Sequence, residues 1–483
     1  MKRNLLLIAG PLLFILISNL HSPDPSHPEM MTMLGLVCWV ALWWFTEVVH
    51  IAITSLLPFV FLPSLGIIDI KETAAQYMDP ILFLFIGGFI ISFAIEKWGL
   101  HKRVALKILS ITGKNPAQLL LGIMLTSYFI SMWISNTATV MMLLSAVMAI
   151  IYQLDHHYND KHQHRKLSSA LLIGLAYAAT IGGMATLVGT PTNMIFYRAY
   201  LEAYPMQHDL SFISWFKIGF PISILLLIIS WFVLKFNISK KESVIHFDIS
   251  LFKKAYHDLG KFSTEEKTVS IVFILTALLW FTRADIPLGN FTIKGWCNLF
   301  PYPAQMQDST VAIVCALLLF ILPASEKGKS ILEWKDTSKL PFDILLLFGS
   351  GFALAKGFEK SGLSTYLASQ LTFLNGVHPL LILLIVSLII TIISEFASNV
   401  ASIQLALPIL IALQNAMHLP PLLLLIPATL AASLGFMMPV ATAPNTIVFS
   451  SGHIKTREMG LAGFWVNLAG ILIISIVSYF LLA

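Results

Sequence analysis

Two short polar motifs stand inside apolar stretches of this chain, and their side chains could bind ions. They are Ser135-Asn136-Thr137 and Ser398-Asn399-Val400, which lie 263 residues apart (398 − 135 = 263). The same offset relates Ser131 to Ser394. Hydroxyl and amide oxygens can coordinate a hard cation such as sodium, whereas hydroxyl and amide donors and helix N-termini can bind an anion. Each motif is therefore a candidate site for both sodium and an anionic substrate.

A second pair of polar motifs interrupts two long apolar segments further along the chain. They are Gly189-Thr190-Pro191-Thr192-Asn193 and Ala441-Thr442-Ala443-Pro444-Asn445, at an offset of 252 (445 − 193 = 252). Proline and glycine in the middle of the membrane free backbone carbonyls, which protein, water or ions must satisfy. One copy of such motifs could simply hold helices together, because small polar residues are common at helix contacts in membranes. Two copies at constant offsets instead indicate a duplicated unit with a site between its copies.

The composition predicts the class of protein that carries these motifs. Hydrophobic residues make up 57% of the 483 residues and charged residues only 11%, whereas soluble proteins carry about a quarter charged residues. Apolar runs of roughly membrane length, about 17–25 residues, recur along the chain. We therefore expect an all-α polytopic membrane protein in the lipid bilayer. The three cysteines have no metal-type spacing, and no basic cluster requires a nucleic-acid partner.

The distribution of lysine and arginine predicts the orientation in the membrane. Basic residues cluster in four segments, at 101–107, 161–166, 235–267 and 327–339. Three segments are poor in them, at 21–29, 200–209 and 285–308. By the positive-inside rule the basic segments are cytoplasmic, and so is the N-terminus. We expect a multi-pass protein of the cell inner (plasma) membrane whose first apolar run is a retained helix, since no cleavage pattern follows it.

The same charge rule predicts two inverted repeats. The apolar segment at about 116–150 begins and ends on the cytoplasmic side, so it is a re-entrant hairpin rather than a crossing. Its counterpart at about 379–417 enters from the opposite side. We expect a first repeat at residues 1–240 with its broken helix at 189–193, a cytoplasmic linker at 241–267, and a second repeat at 268–483 with its broken helix at 441–445.

With these motifs in hand, the chain resembles the divalent-anion:sodium symporter family. Members of that family carry succinate, malate, fumarate, citrate and, in some branches, sulfate. The resemblance covers nearly the whole chain and rests on the paired motifs, together with Trp43-Trp44-x-Thr46-Glu47 as an early signature. It implies about eleven transmembrane helices plus two re-entrant hairpins, a homodimer, and an elevator-type movement of a transport domain against a scaffold.

The resemblance also implies which residues bind the ions. Substrate carboxylates would lie among Ser135, Asn136, Thr137, Thr190, Pro191, Ser398, Asn399, Val400 and Thr442. Na⁺, the coupling ion, would occupy at least two sites. One sodium site would use Ser131, Ser135, Asn136 and the carbonyl of Gly189, and its twin would use Ser394, Ser398, Asn399 and the carbonyl of Ala441. Three residues depart from the usual family pattern, namely Val400 in place of threonine and Thr192 and Ala443 in place of proline.

These inferences lead to a functional hypothesis, which is sodium-coupled uptake of dianionic carboxylates of the succinate, malate and fumarate class. The partner would be a small dicarboxylate or tricarboxylate anion. A sodium-independent exchanger of dicarboxylates or citrate and a sulfate-type anion symporter are the alternatives within transport. A membrane enzyme would need a nucleophile, base or metal constellation, and no such pattern is evident in the sequence. A channel would conduct without saturating in substrate.

Two further features have competing interpretations. Glu395 is a carboxylate in apolar surroundings, and such residues are functional candidates by default. It could tune the second sodium site, or it could form structural hydrogen bonds within its hairpin. The histidine-rich segment 155–166 could bind a metal, but its mixed charge and irregular spacing favour a solvated cytoplasmic loop.

Overall fold

The structure is a computed structural model. It describes residues 2–112, 115–157, 165–205, 210–238, 250–288, 291–371, 374 and 376–482. Parts of the predicted cytoplasmic linker (241–249) and of the predicted histidine-rich loop (158–164) lie outside the described residues. The described residues form 22 α-helices, short 3₁₀ turns and one antiparallel sheet, in which 286–288 pairs with 291–293.

The helices follow one another with short connections in both halves of the chain. In the first half they are α1 (Lys2–Ser18), α2 (Met30–Thr46), α3 (Ile51–Thr54), α4 (Leu57–Ser64), α5 (Ile70–Gln76), α6 (Pro80–Lys97), α7 (Leu100–Ile111), α8 (Pro116–Ser131), α9 (Asn136–His157), α10 (Arg165–Met184), α11 (Pro191–Ala203) and α12 (Phe212–Asn237). In the second half they are α13 (Ser250–Asp258), α14 (Thr264–Thr282), α15 (Asp308–Ile321), α16 (Phe342–Lys360), α17 (Leu363–Gln370), α18 (Pro379–Phe396), α19 (Asn399–Ala416), α20 (Leu425–Ala431), α21 (Ala443–Phe449) and α22 (Thr456–Leu482).

Apolar helices of membrane length dominate this fold. Six segments of the described chain have the length and hydropathy needed to cross a bilayer, namely Ile70–Lys97, Arg165–Met184, Phe212–Phe236, Pro379–Phe396, Asn399–Ala416 and Thr456–Leu482. Further apolar helices are shorter, among them Met30–Thr46, Pro116–Ser131 and Asp308–Ile321. The predicted all-helical polytopic membrane fold is confirmed, whereas the number of crossings stays a prediction.

Helix α10 lies at the centre of the packing. Residues 167–184 of this helix are all buried inside the protein. A Cβ added at Gly182 would lie only 2.3 Å from the carbonyl oxygen of Tyr128, so α10 and α8 approach each other closely at this point. Small residues permit such close approach between membrane helices, where van der Waals contact drives association. The close contact holds the hairpin helix α8 against the helix that leads into the first break.

Each Ser-Asn motif lies at the turn of a pair of helices. Helices α8 and α9 are joined by residues 132–135, and α18 and α19 are joined by residues 397–398. Each pair begins with a proline in the first turn, at Pro116 and Pro379, where the missing N–H leaves no helical hydrogen bond unmade. Each motif asparagine is the first residue of the second helix of its pair. We predict that these pairs are re-entrant hairpins of two inverted repeats.

The helix breaks lie upstream of the motifs that predicted them. Helix α10 ends at Met184 and α11 begins at Pro191, so the non-helical segment is 185–190 rather than 189–193. The second break spans 432–442 rather than 441–445. Proline near the start of a helix is preorganised for the first turn, so it begins the next helix instead of ending the previous one. The proline motifs therefore mark where each broken helix resumes.

Candidate functional site

The predicted ion-binding residues surround one cavity of about 590 Å³. The N-terminal ends of α9, α11, α19 and α21 meet at this cavity. All residues predicted to bind substrate line it, namely Ser135, Asn136, Thr137, Thr190, Pro191, Ser398, Asn399, Val400 and Thr442. Gly189 and Ala441, whose carbonyls were predicted to bind sodium, line it as well. The fold thus brings together four segments that are far apart in sequence.

The two remaining serines lie behind the cavity wall and are fully buried. Ser131 Oγ donates a hydrogen bond to Asn136 Oδ1 at 2.6 Å. Ser394 Oγ lies 2.7 Å from Asn399 Oδ1, and it also lies 2.5 Å from the carbonyl oxygen of Ala432, so two acceptors share its hydrogen. The offset of 263 therefore relates not only residue types but also a contact between two side chains. In both copies the serine hydroxyl lies against the amide oxygen of the motif asparagine, an oxygen that a hard cation can use.

The first of these asparagine oxygens lies close to a backbone carbonyl of the neighbouring break. A Cβ added at Gly183 would be 2.7 Å from Asn136 Oδ1 and 3.0 Å from the carbonyl oxygen of Gly189. Both oxygens therefore border the same small space, and only glycine at position 183 leaves it open. In the second copy, a Cβ at Gly435 would lie 3.1 Å from the Cβ of Ala441 and 3.6 Å from Asn399 Oδ1. Each copy thus has a glycine facing its asparagine and its break.

Asn193 and Asn445 hold the two breaks, a role that the sequence did not reveal. Asn193 Nδ2 donates to the carbonyls of Gly183 and Thr186, at 3.1 and 2.7 Å. Asn445 Nδ2 donates to the carbonyls of Gly435 and Met438, at 2.9 and 3.1 Å. The offset of 252 relates every partner in the two sets. The same offset, applied to the residues upstream of each asparagine, pairs these carbonyls and is the signal in the sequence that could have identified them.

The cavity has little fixed charge. None of the described residues that line it is a lysine or an arginine, and Glu47 supplies the one carboxylate. Glu47 adopts a left-handed conformation, with φ of 46°. Aromatic side chains form part of the wall, and they were not predicted as site residues; they are Phe45, Phe85, Phe89, Trp133 and Phe396. The helix N-termini that meet here carry partial positive charge, which favours an anion nearby.

Glu395 does not form its hydrogen bonds within the hairpin, contrary to one of the two interpretations above. It is almost fully buried. Its Oε1 accepts from the backbone N–H groups of Phe436 and Met437 at 2.9 and 2.8 Å, and its Oε2 accepts from Met438 at 2.9 Å. Asn467 of α22 donates a further bond to Oε1 at 2.6 Å. The carboxylate thereby joins the second hairpin to the second break and to the last helix.

A multi-pass helical protein with two equivalent polar sites on one cavity has the architecture of a membrane transporter. The sequence model of the family described as "Sodium:sulfate symporter transmembrane region" matches residues 2–481 of this chain. The chain belongs to this family, which is a family of transporters and not of enzymes.

Similar proteins cover nearly the whole chain. A sodium-dependent dicarboxylate transporter SdcS of Staphylococcus saprophyticus subsp. saprophyticus is 40% identical over 481 residues, which cover 98% of this chain and 90% of that protein. The protein of the same name from Staphylococcus aureus strain MRSA252 is 39% identical over 482 residues, which cover 99% of this chain and 90% of that protein.

Two solved structures share the fold at low sequence identity. Neisseria gonorrhoeae MtrF aligns with a TM-score of 0.58 at 14% identity, covering 96% of this chain and 97% of its own. The YdaH transporter of Alcanivorax borkumensis aligns with a TM-score of 0.54 at 12% identity, covering 99% of this chain and 96% of its own. At these identities the likeness concerns the fold alone.

Proposed function

We propose that this chain is a sodium-dependent dicarboxylate transporter that takes up dianions of the succinate, malate and fumarate class. The observation that carries this proposal is identity of about 40% along nearly the whole chain to proteins named sodium-dependent dicarboxylate transporter. The paired oxygen-rich motifs around one cavity support it, because the coupling ion and the anion then have adjacent places to bind.

Sodium binds, in this proposal, at two places related by the repeat. Ser131, Ser135, Asn136 and the Gly189 carbonyl form one set of ligands. Ser394, Ser398, Asn399 and the Ala441 carbonyl form the other. The serine–asparagine hydrogen bonds at 2.6 and 2.7 Å support this assignment, because they hold each amide oxygen in a defined position. Because these oxygens carry no net charge, they bind sodium weakly enough to release it, as a transport cycle requires.

The substrate binds between the two motifs. Its carboxylates contact the hydroxyl and amide groups of Ser135, Asn136 and Thr137 in the first copy and of Ser398 and Asn399 in the second. Thr190, Pro191, Thr442 and Val400 complete its surroundings. Since no lysine or arginine of the described residues lines the cavity, bound sodium and helix N-termini balance the charge of the dianion. Each ion then raises the affinity for the other, which is the basis of coupled transport.

The movement that carries the site across the membrane is an elevator-type alternation. In this arrangement about eleven helices cross the bilayer, and two hairpins re-enter it from opposite sides as parts of an inverted repeat. The protein is a homodimer in the cell inner (plasma) membrane with a cytoplasmic N-terminus. Each sodium ion that moves inward through a potential of 100 mV contributes about 2.3 kcal/mol to accumulation.

Uptake of labelled succinate into proteoliposomes tests the proposal. We expect uptake when an inward sodium gradient is imposed and little uptake when potassium replaces sodium. Excess unlabelled malate or fumarate should compete. Uptake that does not depend on sodium would favour the sodium-independent exchanger. In that case, loading the vesicles with unlabelled dicarboxylate should stimulate the uptake of labelled succinate.

A sulfate-type symporter is the second candidate, because the description of the family names sulfate. Labelled sulfate should therefore be tested under the same gradients. Sodium-driven sulfate uptake without succinate uptake would overturn the dicarboxylate assignment while retaining the sodium coupling. Failure of succinate, malate, citrate and sulfate alike would overturn the substrate class.

A further inference from the structure

One difference between the two halves of the site lies at the link between hairpin and break. In each copy a backbone N–H and the side chain of the break's asparagine donate hydrogen bonds to the same backbone carbonyl. The N–H of Gly189 and the side chain of Asn193 both donate to the carbonyl of Thr186, at 3.4 and 2.7 Å. In the second copy, the N–H of Ala441 and the side chain of Asn445 donate to the carbonyl of Met438, at 3.2 and 3.1 Å.

The hydrogen bond that connects the break to the hairpin is neutral in one copy and involves a carboxylate in the other. In the first copy, Thr186 Oγ1 donates to the carbonyl of Met132 at 2.5 Å, which is a neutral hydrogen bond. The offset of 263 relates Met132 to Glu395, and the offset of 252 relates Thr186 to Met438. In the second copy the carboxylate of Glu395 accepts from the N–H of Met438 at 2.9 Å. The same junction therefore carries a carboxylate in one copy and none in the other.

The carboxylate of Glu395 is surrounded by hydrogen-bond donors. Its described partners are the N–H groups of 436–438 and the Asn467 amide, all of which are neutral donors. These four donors approach both carboxylate oxygens, and oxygens of this kind accept several hydrogen bonds at once. The side chain is only 4% exposed. A buried charge acts over a longer range than an exposed one, because little water screens it.

This charge lies next to the second candidate sodium site. Ser394, the residue before Glu395, bonds to Asn399 Oδ1, and Met438, which Glu395 holds, bonds to the N–H of Ala441. We propose that Glu395 is a positioning residue that makes the second cation site stronger than the first. It does so by fixing the break at 436–438 and by placing a carboxylate at a junction where the first copy has only the backbone carbonyl of Met132. The inference rests on the proposed function, since it assumes that sodium binds at both sites.

The test compares Glu395→Gln and Glu395→Asp with wild type and with Glu96→Gln, an exposed carboxylate away from the cavity. Two quantities are measured. One is the sodium concentration that gives half-maximal succinate uptake at saturating succinate. The other is the rise in thermal unfolding temperature that sodium, compared with potassium, causes in purified protein without substrate.

We expect Glu395→Gln to raise the half-maximal sodium concentration at least tenfold and to remove most of the sodium-dependent rise in unfolding temperature. The succinate concentration for half-maximal uptake at saturating sodium should stay within about twofold of wild type. Glu395→Asp keeps the charge but shortens the reach, so its sodium dependence should lie closer to wild type than that of Glu395→Gln. Glu96→Gln should match wild type in both measurements.

Several outcomes would overturn the proposal. A folded Glu395→Gln protein with wild-type sodium dependence would remove the role of the charge. If Glu395→Gln does not fold, Glu395→Asp still decides, because its shorter side chain cannot hold residues 436–438 as Glu395 does. A raised half-maximal sodium concentration in Glu395→Asp would support the proposal, and wild-type values in both measurements would overturn it. Wild-type uptake that ignores sodium would overturn this inference together with the proposed function, whereas a sodium-dependent wild type with an unaffected Glu395→Gln variant would overturn the inference alone.

Discussion

The side-chain amide of Asn193 lies 3.1 Å from the carbonyl oxygen of Gly183, to which it donates a hydrogen bond across the break between α10 and α11. Asn445 repeats this bond to Gly435 at 2.9 Å. Both asparagines are fully buried. Backbone carbonyls freed inside a membrane protein need a partner, because unpaired polar groups in apolar surroundings are costly. These side chains supply the partner, and they stabilise the breaks beside the candidate ion sites.

Replacement of Asn193 by alanine should destabilise the protein. The change removes the donor to the carbonyl of Gly183 and leaves the carbonyl of Thr186 with only the N–H of Gly189 at 3.4 Å. An unsatisfied buried group costs about 1–3 kcal/mol. We expect a fall in thermal unfolding temperature and faster amide exchange at residues 185–190. Asn19→Ala at an exposed position serves as the control and should change stability by less than about 0.5 kcal/mol. Unchanged exchange at 185–190 in Asn193→Ala would contradict the assigned role.

Removal of the Ser131 hydroxyl should weaken sodium binding. Without its donor, Asn136 Oδ1 is free to turn away from the space that it shares with the Gly189 carbonyl. We expect Ser131→Ala to raise the half-maximal sodium concentration several-fold. The matched control is Ser127→Ala, one turn earlier on α8, whose hydroxyl donates to the carbonyl of Leu175 at 2.8 Å instead. If both variants shift the sodium dependence equally, the effect belongs to the helix and not to the asparagine.

The third position of the motifs should influence the choice of anion. Thr137 carries a hydroxyl, whereas Val400 offers only methyl groups, and both line the cavity. A hydrogen bond to a charged group is worth about 1.5–3 kcal/mol, so a new hydroxyl can change affinity by roughly tenfold or more. We expect Val400→Thr to alter the ratio of succinate to sulfate inhibition constants, and the reciprocal Thr137→Val to weaken all anions. Unchanged ratios in both variants would place substrate selection elsewhere.

A methyl group at position 183 should disturb the first candidate sodium site. The added Cβ of Gly183→Ala would lie 2.7 Å from Asn136 Oδ1, so one of the two must shift. We expect sodium-dependent uptake to fall at least tenfold. Gly460→Ala is the control, since its Cβ would have nothing nearer than the Met437 carbonyl oxygen at 3.8 Å. Wild-type sodium dependence in Gly183→Ala would show that the site tolerates an extra methyl group.

A carboxylate outside the membrane-spanning segments, Asp336, pairs with Lys97 at the end of one of them, and the pair should make stability depend on pH. Burial raises the pKa of Asp336, but hydrogen bonds from the Glu333 N–H at 2.9 Å and from Lys97 at 2.7 Å outweigh it and hold the pKa below its ordinary value. A lowered carboxyl pKa stabilises the fold at pH values above the ordinary pKa, and the stabilisation is lost as the pH falls from that value through the lowered pKa of the folded protein.

Asp336→Asn should therefore cost on the order of 1 kcal/mol near neutral pH. The difference in unfolding temperature between Asp336→Asn and wild type should begin to shrink below about pH 4, where the carboxyl of the unfolded chain becomes protonated, and should vanish once the folded carboxyl is protonated as well. The control is Glu326→Gln, whose partner Lys329 forms only a surface pair. A difference that stays constant down to pH 3 would contradict the role of the Asp336 charge.

The sequence by itself determined the membrane class, and it predicted a duplicated unit and the residues of the candidate site. This was possible because a membrane segment must be apolar, so Ser-Asn and Thr-Pro-Thr-Asn stand out against their surroundings. Gene duplication then repeats such exceptions at a constant offset. The residues found in this way do surround one cavity.

Only the tertiary structure decided how the copies are built around that cavity. The prolines of both breaks start helices, because their fixed backbone angle suits a first turn, and this moved the breaks upstream. The partners of Asn193 and Glu395 are backbone groups, which every residue possesses and no residue type reveals. The neutral Thr186–Met132 link and the charged Glu395–Met438 link therefore became visible only when hairpin and break were packed together.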